Sequence, residues 1–201
     1  MIRRVSVVFG AAVALGLLAS PVAAQVNSDS YKFLEAVKKR DGATVTNLVS
    51  MPGSVVVNAT GGEFGDGALH TVVRRRDLTW LSFLLGKGAD ANIRNDEDNT
   101  PLALASQLGW VEGARLLLSV GARVEAPDSR GETPLIFAVH RRNLPMVRLL
   151  MEGGANPRLT DSIAGYSALD YAKRDRRAAN IAKVLEEGVA KPTKDVSGPV
   201  L

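Results

Sequence analysis

A leucine recurs at positions 69, 102, 135 and 169, in steps of 33, 33 and 34 residues, and each copy brings a similar neighbourhood with it. The clearest copy is Gly131-Glu132-Thr133-Pro134-Leu135-Ile136-Phe137-Ala138, running on to Val147-Arg148-Leu149-Leu150-Met151-Glu152-Gly153-Gly154-Ala155-Asn156. Thr133 can cap a helix start, its hydroxyl accepting a backbone amide. Pro134 then occupies the first helical position, where its missing N–H costs nothing. Leu135 and Ala138 are three apart and share a face. Arg141 and Arg142 close this short helix, where positive charge suits the dipole. A second helix carries Met146, Val147, Leu149 and Leu150, and Gly153-Gly154 stops it with left-handed backbone. Two short helices cannot bury their apolar side alone, so the stretch needs neighbours.

The neighbours are in the chain. Thr100-Pro101-Leu102-Ala103-Leu104-Ala105 leads to Arg115-Leu116-Leu117-Leu118 and Gly121-Ala122. Gly67-Ala68-Leu69-His70 leads to Phe83-Leu84-Leu85 and Gly88-Ala89-Asp90-Ala91-Asn92, and Ser167-Ala168-Leu169-Asp170-Tyr171-Ala172 leads to Lys183-Val184-Leu185. In period and in its Thr-Pro-Leu-His-like tetrad this resembles the ankyrin repeat. The resemblance implies an all-α solenoid of stacked helix-turn-helix units with hairpin loops. Five repeats are expected, at about 31–58, 65–92, 98–124, 131–156 and 163–187, the first and last divergent because one side of each meets water. Their predicted core is Leu69, Val72, Leu81, Leu84 and Leu85, then Leu102, Ala105, Leu116 and Leu117, then Leu135, Ala138, Val147, Leu149 and Leu150. Aromatic residues are only 5% of the chain, which suits small Leu/Ala interfaces.

Residues 1–24 are read as a cleavable export signal. Arg3 and Arg4 precede an uncharged, mostly apolar run from Val5 to Ala19; Pro21 breaks it, and Val22-Ala23-Ala24 supplies small residues for cleavage before Gln25. This start looks like a bacterial Sec signal, which places the mature chain in the periplasm. The run is short for a membrane span, which needs roughly 20 residues. Residues 25–30 are expected to be a flexible leader before a helix beginning near Tyr31, with Ser28, Asp29 or Ser30 as its cap. Residues 188–201 are expected to be a flexible tail. Losing Arg3 and Arg4 changes 25 basic against 21 acidic residues to 23 against 21, a net charge of +2, weak for a nucleic-acid binder.

The chain has no cysteine, which removes disulfides, thiol nucleophiles and cysteine-based zinc sites. Val55-Val56-Val57 reads as a short extended piece, and Gly61-Gly62-Glu63-Phe64-Gly65-Asp66-Gly67 as a flexible hairpin rather than a phosphate cradle, since no Lys-Ser/Thr follows. Asp96-Glu97-Asp98-Asn99 fails the EF-hand test, because Pro101 and Gln107 stand at the positions that need glycine and glutamate. The two histidines, His70 and His140, lie two repeats apart and are too few for a metal site. No catalytic residue, cofactor or metal is expected.

The family resemblance implies protein binding through finger tips and the ends of the inner helices. The inner positions are Arg74, Arg75, Gln107, Leu108, His140, Arg141, Arg174 and Asp175. The finger positions are Asp66, Glu97, Asp98, Asn99, Ser129, Arg130, Glu132 and Tyr166. Arginine recurs at the inner positions of three repeats, so a concave basic stripe facing an acidic protein is one expectation; arginines that merely suit helix dipoles are the other. His70 is expected to hydrogen-bond between neighbouring loops. The expected molecule is a monomeric, non-enzymatic scaffold or regulator of another periplasmic protein. A small-molecule binder or enzyme, or a passive structural element, is the alternative.

Overall fold

The computed structural model describes residues 21–190, with side chains from 29 to 188. Residues 1–20 of the expected signal and 191–201 of the expected tail lie outside the described residues. Five helix pairs follow one another: α1 (Pro21–Lys39) with α2 (Gly42–Ser50), α3 (Ala68–Arg74) with α4 (Leu78–Gly86), α5 (Pro101–Leu108) with α6 (Val111–Ser119), α7 (Pro134–His140) with α8 (Leu144–Glu152), and α9 (Ala168–Arg174) with α10 (Ala179–Ala190). The first member of each pair packs beside the next to make an inner row, α1-α3-α5-α7-α9, while α4, α6, α8 and α10 make an outer row. This is the all-helical repeat solenoid that the resemblance implied.

The helices start where local chemistry starts them. Thr100 and Thr133 accept the backbone N–H of Ala103 and Ile136, each with proline at the first helical turn. Ser167 and Asp170 form a reciprocal capping box. The second helices are capped differently. Asp41, Asp77 and Asn143 accept the N–H of Thr44, Trp80 and Met146. The residue before each cap sits in the left-handed region, at φ 58° for Arg40, 54° for Arg76 and 51° for Arg142; Gly109, at 69°, holds the same place in the third pair. In the first four pairs the inter-helix turn is therefore one left-handed residue followed by the start of the second helix, whereas the fifth passes through a 3-10 turn at Arg176–Ala178.

The core is a continuous pile. Phe33, Leu69, Leu102, Leu135 and Ile181 are all within 1% of full burial. Leu169 is only half-buried, although it keeps the leucine register, because α9 is the last inner helix among the described residues. Two details differ from the sequence expectation. Helix α1 already includes residues 25–30 rather than starting near Tyr31. No glycine or proline interrupts residues 22–41, so nothing in the chain stops the helix earlier. Val56–Asn58 is a tight 3-10 turn rather than an extended piece. It turns Val56 into the core at 5% exposure.

Repeats are also joined through their loops. Asn58 Oδ1 accepts from Asp90 N at 2.8 Å, Asn92 Oδ1 accepts from Arg123 N at 2.7 Å, and a Glu125 carboxylate oxygen accepts from Asn156 N. Glutamate thus stands where two earlier repeats use asparagine. Its second oxygen is buried and has no partner among the described residues. Burial pushes the Glu125 carboxyl above its ordinary value, against the pull of the Asn156 amide. A raised folded pKa means that the folded chain holds the proton more tightly. Stability therefore falls as pH rises from 4.5 through the raised value. Replacing Glu125 by Gln is expected to increase the unfolding free energy near neutral pH by about 1 kcal/mol. Urea titrations at about pH 4 and about pH 7 check this: the gain should appear only at the higher pH. An equal gain at both would remove the carboxylate charge as its cause.

Candidate protein-binding face

The loops between pairs form four fingers that project beside the inner helices. The first is the hairpin of β1 (Thr60–Gly61) and β2 (Asp66–Gly67). The others centre on residues 95–99, 128–132 and 161–166. They are linked in series: Asp96 N donates to Phe64 O at 3.0 Å, Ser129 N to Glu97 O at 3.0 Å and Ser162 N to Arg130 O at 2.9 Å. His70, fully buried, joins the first two. Its Nδ1 accepts from Gly67 N at 3.1 Å, so Nε2 carries the hydrogen and donates to Asn99 O at 2.8 Å. Burial lowers its pKa, which keeps the ring neutral.

Several inner positions are joined to finger residues, Arg74 to Asp66, Gln107 to Asn99, His140 to Glu132 and Arg174 to Tyr166, but their charges do not add into a stripe. Arg74 pairs with Asp66 at 2.7 Å, and its guanidinium lies 5.6 Å from the Phe64 ring centre. Burial pushes the Asp66 carboxyl up, but the hydrogen bonds from Arg74 and Asn95 and the Arg74 charge outweigh this and leave it below its ordinary value. Arg75 donates to Lys38 O at 2.8 Å and Val37 O at 3.1 Å, closing the carbonyl end of α1. Gln107 Nε2 donates to Asn99 Oδ1 at 2.9 Å. Leu108 is half-buried and interrupts any basic run. His140 Nε2 lies 3.3 Å from Glu132, which also takes Arg130 at 2.9 Å. Asp175 takes Arg142 at 2.5 Å; its carboxyl is held low first by the Arg177 amide and then by Arg142. Of the inner arginines only Arg141 and Arg174 have neither a salt bridge nor a side-chain hydrogen bond among the described residues. Arg174 stacks 4.2 Å over the Tyr166 ring.

The fingers divide in the same way. Glu97, Asp98, Ser129 and Arg130 are exposed, whereas Asn99 is 2% exposed and serves as an internal brace rather than a contact. Tyr166 sits edge-on to Tyr171 at 5.5 Å, and Tyr171 to His140 at 4.4 Å. The Tyr171 hydroxyl donates to Asp161 at 2.7 Å, and this bond, with burial, pushes its pKa up to about 12.

Three features of the face went unread in the sequence. The turn arginines staple repeats: Arg40 pairs with Asp77 at 2.6 Å, Arg76 Nη2 donates to Leu108 O at 2.6 Å, and Arg142 pairs with Asp175. Their signal was the recurring Arg-Asp or Arg-Asn dipeptide at 40–41, 76–77 and 142–143. Tyr31, 69% exposed, and Phe64, 47% exposed, stand near the first finger without a periodic position to mark them. Tyr171 was seen only as part of the fifth helical motif.

Among the described residues, no group of three or more His, Cys, Asp or Glu side chains is placed to hold a metal ion. No described helix is long and apolar enough to cross a membrane. Two family models match the chain: "Ankyrin repeats (3 copies)" over residues 33–128 and "Ankyrin repeats (many copies)" over residues 117–172. A Treponema pallidum (strain Nichols) protein described as ankyrin repeat-containing is 38% identical over 110 residues, 54% of this chain and 37% of that protein. A rice protein (Oryza sativa subsp. japonica), calmodulin-binding transcription activator CBT, is 29% identical over 161 residues, 78% of this chain and 17% of its own length. The B-cell lymphoma 3 protein homolog of Mus musculus is 37% identical over 113 residues, 54% of this chain and 25% of its own length. The chain thus spans well under half of each of these relatives.

Proposed function

We propose, for a chain that belongs to the ankyrin-repeat family, that it is an exported, non-enzymatic binding module that holds another periplasmic protein against its fingers and inner-helix ends. The ankyrin family supports the protein-binding part. The export part rests on the basic, apolar and small-residue order of residues 1–24. The observation that carries the choice of face is the pair Arg141 and Arg174. They stand at the ends of α7 and α9, exposed and without a salt bridge among the described residues, although Arg174 acts on the Asp170 carboxylate one turn away. An acidic patch on a folded partner supplies the missing counter-charge. Such rim charges act mainly on the association rate.

This moves the test away from Arg74 and Arg75, whose reversal would break the Asp66 pair and uncap α1. The double charge reversal Arg141→Glu with Arg174→Glu is expected to slow partner association about tenfold or more at low salt, with little change in thermal stability. Affinity capture from periplasmic extract identifies the partner, and stopped-flow or surface plasmon resonance measures the rate. A partner captured equally well and equally fast by the double variant would reject this face. The absence of any stoichiometric partner, with turnover on a substrate panel, would favour the enzyme alternative instead.

A further inference from the structure

The first finger differs from the other three in a way that leaves a place beside it open. In the later fingers a buried Asn or Asp locks the loop onto itself. Asn95 Oδ1 accepts from Glu97 N at 3.1 Å and Asn99 N at 3.0 Å; Asp128 Oδ1 accepts from Arg130 N at 2.9 Å and Glu132 N at 2.8 Å. Asp161 Oδ1 accepts from three successive amides, those of Ile163, Ala164 and Gly165. The residue one repeat earlier, at the same place in the first finger, is Gly62, which has no side chain to do this. The amide series between fingers also starts here. Asp96, Ser129 and Ser162 each donate their N–H to the preceding finger, but Glu63, the residue in register with them, has no preceding finger and its N–H finds no partner among the described residues.

The space where a preceding finger would lie is a groove of about 580 Å³ between α1 and the first finger. Exposed Tyr31 and Phe64 stand over it, with Leu34 among its walls. Its cations are already satisfied: Lys38 pairs with Glu35 at 2.9 Å, Arg74 with Asp66 at 2.7 Å, and Arg75 caps α1. Glu63 is exposed and makes no ion pair among the described residues, so the charge left over at this groove is negative. That is the opposite sign from the Arg141 and Arg174 end.

We propose that this groove receives an extended segment of a partner protein, lying beside the first finger as the second finger lies on its other side. The segment's carbonyl takes the Glu63 N–H, an aliphatic or aromatic side chain sits between Tyr31 and Phe64, and an adjacent Lys or Arg meets the Glu63 carboxylate. The inference rests on the protein-binding reading above but uses the other end of the face. A folded partner with an acidic patch and a basic-apolar strand then binds in one orientation only.

Selection of a phage-displayed library of random peptides against the full chain tests it. Enriched peptides should pair an apolar residue with Lys or Arg. Their affinity should fall at least tenfold for Tyr31→Ser or Phe64→Ser, and Glu63→Lys should reverse the preference toward acidic peptides. The Glu63 amide should also shift in the nuclear magnetic resonance spectrum on binding. Circular dichroism of the variants controls for folding, and Glu63→Lys, at an exposed position, keeps the test available if an aromatic variant fails to fold. Peptides that are acidic from the outset, that ignore all three substitutions, or that never enrich overturn the proposal. Concentration-dependent dimerisation abolished by Phe64→Ser also overturns it, in favour of a second copy as the occupant. Insensitivity of these peptides to Arg141→Glu with Arg174→Glu is expected, so failure here and failure of the acidic-partner reading are told apart.

Discussion

Replacing Leu135 by Ala is expected to lower the unfolding free energy by about 2–5 kcal/mol. The side chain is fully buried on α7, the middle helix of the row α5-α7-α9, and a cavity there has neighbours on both sides. The loss should be local before it is global, since each repeat rests only on its neighbours. Hydrogen exchange should therefore quicken first in the pairs containing α5, α7 and α9, while α1 and α3 stay protected. Leu169 provides the internal control. It shares the register but is only half-buried, so Leu169→Ala should cost about half as much or less in the same urea titration. Equal costs would mean that the chain unfolds as one unit, with no gradient along the array.

The second large effect concerns His70. Replacing it by Ala removes a fully buried ring, leaves the Gly67 N–H without its partner and leaves the Asn99 C=O with only the Asn95 N–H. The orphaned Gly67 N–H costs about 1–3 kcal/mol and the cavity left by the ring adds to it, so a total of roughly 2–5 kcal/mol is expected. The same ring sets an acid limit. Burial holds its folded pKa below 6.5, so the unfolded chain binds the proton more readily. Its contribution is complete above 6.5 and is lost as pH falls through the lowered folded value. Protonation would also place a hydrogen on Nδ1, facing the Gly67 N–H that it now accepts. Stability measured by thermal melts across this range should fall on acidification in the native chain and less so in His70→Ala. A parallel pH dependence in both would assign the acid loss to other groups.

These two residues also mark the boundary of what the chain alone conveyed. The 33-residue leucine step, the Thr-Pro starts and the glycine stops are chemistry within one repeat, and they were sufficient for the helix pairs and their order. The role of His70 was expected from the ankyrin resemblance instead, because its bond to Asn99 O reaches into the next repeat. Helix α1 was read too short, since residues 25–30 continue the helix without a glycine or proline to interrupt it.

Charge was where local reading ran out. Arg74, Arg75 and Arg141 look alike along the chain, yet one pairs with Asp66, one closes α1 and one stays free among the described residues. Asn99 sits among exposed acids in sequence but is buried in space. The partner of a long polar side chain is set by whatever stands one repeat away, tens of residues along the chain, and hydrogen bonds reach only about 3 Å. Sequence determined the repeating unit, because caps and apolar spacing act over a single turn. The tertiary stack alone decided which arginines remain available, and why the space beside Phe64 is open, because both depend on neighbours brought together only when the repeats pack.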